Sequence, residues 1–101
     1  MNQLQFIALI AEREALRYTP AGMPIVNAVL QHRSQQVEAG IARVSEFEIA
    51  AVAAGEISNR FHQAPLGGLY QFSGFLNKKN RNSKSLVFHI IDFSAVQDSS
   101  I

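Results

Sequence analysis

This 101-residue chain has no cysteine, which excludes disulfides and thiolate metal sites and suits a reducing cytosol. No apolar run approaches the ~20 residues that a membrane-spanning helix requires. The first residues, Met1-Asn2-Gln3-Leu4-Gln5, lack the basic start of a secretory signal. A soluble, cytoplasmic domain without membrane contact is therefore expected. Catalytic signatures are missing too: there is no Gly-rich phosphate loop, no Gly-x-Ser-x-Gly elbow and no thiol nucleophile. The acids Glu12, Glu14, Glu38, Glu46, Glu48 and Glu56 are scattered. His32, His62 and His89 fall in separate segments, without metal-ligand spacing. We expect no enzyme, no metal and no cofactor. His32, on an apolar face, reads as a core histidine with its hydrogen bonds satisfied.

One more absence is local. No Asp or Glu occurs between Glu56 and Asp92. Inside that stretch lies Leu76-Asn77-Lys78-Lys79-Asn80-Arg81-Asn82-Ser83-Lys84-Ser85, which holds four of the nine Lys and Arg residues. The net charge is only +1, so affinity for a polyanion must come from such clustering. A basic loop between two apolar runs suits a phosphate backbone, with Asn and Ser supplying further hydrogen bonds. It equally fits a solvated hairpin whose lysines discourage edge pairing.

The hydrophobic fraction of 48% is enough to fill one core, and the length suits one domain over residues 1–101. Leu4 to Ala11 forms an apolar run, broken by Gln5, that fits strand or helix, while Glu12 to Leu16 is helix-friendly. Pro20-Ala21-Gly22-Met23-Pro24 stops any helix and makes a turn. From Ile25 to Gln36 the chain alternates: Val26, Ala28, Leu30 and His32 share one face, Asn27, Val29, Gln31 and Arg33 the other. Ala39-Gly40 marks a turn, and Phe47, Ile49 and Ala51 alternate with Glu46, Glu48 and Ala50 as in a half-buried strand. A long hairpin with a mobile tip is expected.

Residues 55–65 form a polar interlude in which Glu56 to His62 fits a short helix or a covering loop. Gly67-Gly68 opens a strand from Leu69 to Leu76, with Gly74 marking a bulge or bend. Leu86 to Phe93 is the fifth strand, and Gln97 to Ile101 reads as a frayed tail. The fold class is thus all-β: a five-stranded Greek-key barrel of the oligonucleotide-binding (OB) type, with a short covering segment between the third and fourth strands. A simple antiparallel sandwich matches the same spacing.

Leu16-Arg17-Tyr18-Thr19-Pro20-Ala21-Gly22-Met23-Pro24 resembles the first turn of single-stranded DNA-binding (SSB-like) OB domains. Val29-Leu30-Gln31-His32-Arg33-Ser34 with Glu38-Ala39-Gly40, then Gly74-Phe75-Leu76, the basic loop and Leu86-Val87-Phe88-His89, resemble a primosomal branch of that family. The likeness spans roughly residues 2 to 95. It implies a homodimer that binds single-stranded DNA, joins PriA helicase and DnaT in restarting stalled replication forks, and catalyses nothing. Members of that branch place aromatics just after the Glu-Ala-Gly turn and five residues further on, where this chain has Ile41 and Glu46. Stacking is worth ~1–3 kcal/mol per base, so weaker and more salt-sensitive single-strand binding is expected here. Ala8 stands where the family often has glycine.

Lys78, Lys79, Arg81 and Lys84 are the first candidates for phosphate contacts. Arg33 and Arg43 flank the hairpin tip, and an outward Arg can stack on bases as well as pair with phosphate. Tyr18, beside Arg17 at the turn, is a further candidate. The phenylalanines are expected mostly in the core. Two other readings stay open: a protein-interaction module with weak or incidental DNA binding, favoured by Glu46 and Glu48, and an RNA-binding OB domain.

Overall fold

Six strands and one short helix make up the computed structural model, which describes residues 1–96. The expected fraying of residues 97–101 lies outside the described residues. The elements are β1 (Leu4–Arg13), β2 (Arg17–Tyr18), β3 (Pro24–Glu38), β4 (Ile41–Ala54), α1 (Glu56–Phe61), β5 (Leu69–Lys78) and β6 (Leu86–Ala95). Neighbours run β1-β5-β6-β4-β3-β2, and β1 also pairs with β3. That extra pairing closes a five-stranded barrel, with the two-residue β2 hanging on β3 as a ribbon. All ladders are antiparallel except β4–β6, where Ala51, Val52 and Ala53 run parallel to Phe88, His89 and Ile90. Closure, and not a simple sandwich, is how this sheet removes most of its edges.

The inward set follows the period of two. Ala8 and Ile10 from β1, Val26, Ala28 and Leu30 from β3, Ala51 and Ala53 from β4, Phe72 from β5 and Phe88 and Ile90 from β6 are all buried. β1 resolves as strand through Arg13, with a register shift between Ile10 and Glu12 against β3. Its sequence is ambiguous because Ile7 and Leu9 are outward and apolar too, which erases the alternation.

The covering segment is helical. Phe61 at its end is fully buried and packs edge-on against Phe72 and Phe93, with centroids 6.3 and 5.6 Å away. The Arg13 guanidinium donates to the carbonyls of Phe61 and Ala64, anchoring the helix exit to β1. Buried Ser58 donates to the Gly55 carbonyl at 2.6 Å, so the plug leaves no lone polar side chain inside.

The β3–β4 hairpin outgrows the barrel. Its ladder is continuous from Ile25↔Ala54 to Glu38↔Ile41, closed by Ala39 and Gly40 at φ 53° and 76°. Two consecutive positive φ values are what a two-residue hairpin turn demands. His32 and Phe47 are the last inward pair still covered, with Phe6 of β1 5.8 Å from each ring. Phe47 keeps its inward parity there but is 38% exposed, stacked on His32 at 4.8 Å. His32 is satisfied at both nitrogens, by the Ile7 carbonyl and the Ser34 hydroxyl.

Candidate nucleic-acid interface

The outer surface of β3, β4 and β6 floors a groove of about 820 Å³. Asn27 and Val29 of β3, Ala50 and Val52 of β4, and Val87 and His89 of β6 contribute the floor. Small and β-branched residues dominate it, so the surface is flat and apolar. Lys78, Lys79 and Ser85 stand on one margin, and Glu12, Arg13, Glu14 and Arg17 on another.

The basic segment is a tight loop. Lys78 closes β5, and the Lys79 amide donates to the Ser85 carbonyl at 2.9 Å. Inside, the Asn82 amide donates to the Asn80 side chain and the Ser85 amide to the Ser83 hydroxyl. These local bonds occupy the polar residues with shaping the backbone. The cations are left exposed: Lys78, Lys79, Arg81 and Lys84 make no ion pair among the described residues. Only the Lys78 ammonium is engaged, donating to the Arg81 carbonyl at 3.3 Å.

The hairpin cations differ. Arg33 pairs with Glu46 at 3.1 Å, directly across the ladder, and Arg43 pairs with Glu38 at 2.8 Å. Both carry a neutralising partner, and neither lines the groove. Glu46 and Glu48 lie on the same outward face as the groove floor, further towards the tip, and both are exposed. Tyr18 is 66% exposed on β2 and also stands outside the groove. The seven residues chosen from the sequence thus divide: Lys78 and Lys79 border the groove, Arg81 and Lys84 extend from its loop, and Arg33, Arg43 and Tyr18 lie apart.

Two residues escaped the sequence reading. Arg17 borders the groove with no ion pair among the described residues, and only the turn linking β2 to β3 brings it there. Phe75 is not a core residue. Tyr70, Phe72 and Gly74 are the buried positions of β5, so Phe75 has the opposite parity and lies half-buried on the outer face. It stacks on His89 with centroids 4.7 Å apart and planes within 4°. The signal was present: Phe72 and Phe75 are three residues apart in one strand, so both cannot point inward. The β5–β6 register shifts between Ser73 and Gly74, where Ile91 of β6 is the unpaired extra residue, so the irregularity lies opposite Gly74 and leaves the parity of β5 intact.

A closed five-stranded barrel with a parallel β4–β6 ladder, a helical plug and a groove on its outer face bordered by Lys78 and Lys79 is an OB-type binding domain. The model of "another single-strand binding protein family" matches residues 2–92. Replication restart protein PriB of Nitrosomonas europaea is 41% identical over 91 residues, covering 90% of this chain and 84% of that relative. PriB of Bordetella pertussis is 39% identical over 90 residues, covering 89% and 84%. The solved structure of PriB from Ralstonia solanacearum superposes with a TM-score of 0.88 at 41% identity, covering 96% of this chain and 99% of that one. The chain belongs to the PriB family of SSB-like proteins.

Proposed function

We propose that this protein binds single-stranded DNA along the groove and serves as an accessory factor in replication restart, with PriA helicase and DnaT as partners. The observation that carries the proposal is the contrast in charge. The loop holding Lys78, Lys79, Arg81 and Lys84 makes no ion pair among the described residues and lies beside an apolar floor, whereas Arg33 and Arg43 are neutralised within the hairpin. Unpaired cations next to a flat surface meet both halves of a single strand, its phosphates and its bases. The relatives named above carry the replication-restart name. Their single-strand-binding family and the absence of any catalytic constellation in the sequence favour binding over chemistry.

Self-association fits the outer face of β1 and β5, where Ile7 (43%) and Leu69 (52%) are exposed around Leu9. A homodimer burying that face is the arrangement we propose, measurable by light scattering after gel filtration.

The test of the main proposal is fluorescence anisotropy of a labelled single-stranded oligonucleotide at several salt concentrations, with duplex DNA and single-stranded RNA as competitors. Salt-sensitive binding that duplex and RNA displace poorly is expected. Absence of binding at low salt favours the second reading, a partner-binding module. The neutralised hairpin with exposed Val37 (77%), Ile41 (56%) and Val44 (53%) at its tip supports that reading. Retained binding to PriA in the same preparation decides for it.

A further inference from the structure

Building on the single-strand reading of the groove, we infer that His89, backed by Phe75, is a stacking platform for a nucleobase. Four strands contribute one lateral row on the outer face, Asn27, Val52, His89 and Phe75, in consecutive register. Phe75 covers one face of the imidazole in a parallel, offset stack. His89 lines the groove and Phe75 does not, so the phenyl ring supports the imidazole from outside the groove.

The surroundings suit a base. His89 is the one aromatic ring among the described residues that line the groove, and Val52 and Val87 flank it as apolar shoulders. Lys78 and Lys79 border the same groove, placing ammonium groups for the phosphates of a strand whose base lies over the ring. His32 spends both nitrogens on protein partners. No such partner is found for the His89 nitrogens among the described residues, which leaves the ring edge open to a base.

The platform is tested with the full chain, a labelled oligothymidine, and the same oligonucleotide carrying abasic sites throughout its central stretch. His89→Leu keeps apolar volume without a π face, and His89→Phe keeps the face. On the intact strand His89→Leu is expected to weaken binding about tenfold, the scale of one base stack, with unchanged salt slope. His89→Phe is expected to bind within about twofold of wild type. On the abasic strand wild type and His89→Leu should bind alike, because no base remains to stack. Equal losses on both strands, or no loss on either, overturn the platform. A thermal midpoint for each variant separates these results from unfolding, and Phe75→Leu provides a second route if His89→Leu does not fold. Wild type failing to bind either strand overturns the single-strand reading instead.

Discussion

Gly74 lies directly beneath the backbone of His89. A Cβ built at position 74 would stand 1.8 Å from the His89 carbonyl oxygen and 3.0 Å from the Phe88 ring. No rotamer adjustment relieves a clash with backbone, so β5 and β6 would have to separate where the bulge joins them. We expect Gly74→Ala to destabilise the fold by about 1–3 kcal/mol or more, seen as a lowered midpoint in urea. Because His89 sits on that backbone, DNA affinity should fall with it.

The basic loop should act through charge. Replacing Lys78, Lys79 and Arg81 together with Ala is expected to weaken binding to every sequence tested. The log-log dependence of affinity on salt should flatten by roughly 0.7 for each phosphate that is no longer neutralised. Stability should hardly change, since these side chains are exposed and unpaired among the described residues. Anisotropy titrations at three or four salt concentrations measure both quantities, and an unchanged slope would move the binding site elsewhere.

The Arg33–Glu46 pair gives a test of how far the strand tracks along the hairpin. Both side chains are more than half exposed, so the pair contributes no more than about 1 kcal/mol to stability. Glu46→Gln removes a negative charge from the outer face and frees Arg33. A strand running from the groove onto the hairpin should then bind severalfold more tightly, with a steeper salt slope. A strand leaving at the loop should show no difference.

Asp92 links stability to pH. Its carboxylate accepts from the Arg60 guanidinium at 2.5 Å and from the Phe93 amide at 2.9 Å, and these bonds hold its pKa below the ordinary carboxylate value. The folded chain therefore takes up this proton at a lower pH than the unfolded chain. The stabilisation is complete above the unfolded carboxylate value and disappears as pH falls through the folded one. Both partners are well exposed, so the effect is small. Asp92→Asn should lower the melting temperature slightly at neutral pH and remove part of the acid-side slope. Arg60 also lies 4.4 Å above the Phe93 ring, an interaction that Asp92→Asn leaves in place.

Much of the barrel is legible in the chain because the inward face of β3 and β4 is apolar, while polar residues recur on the outward one. Val26, Ala28 and Leu30 against Asn27, Gln31 and Arg33 set the register of the hairpin before any tertiary packing is considered. Gly74 marks the place where the β5–β6 register shifts, and the Pro20 to Pro24 turn separates β1 from β3. The groove was not legible to the same degree. Arg33 and Glu46 are far apart in sequence, so their neutralisation emerges only from the ladder. Phe75 reads as core by composition and turns outward by parity. Arg17 joins the groove margin through a turn whose path no local pattern specifies.

The parallel β4–β6 ladder also sets an order of assembly in time. The β3–β4 hairpin is joined by a two-residue turn, and such hairpins form in microseconds. The β4–β6 and β1–β5 ladders join segments distant in sequence, and their long loops must close before any pairing offsets the entropy, which makes them slow. Pulsed hydrogen exchange during refolding should therefore protect the amides of Val26 to Leu30 before those of Phe88 to Ile90. A chain caught between these events owns its charged hairpin but has no groove. Readiness to bind is acquired last, with the final strand.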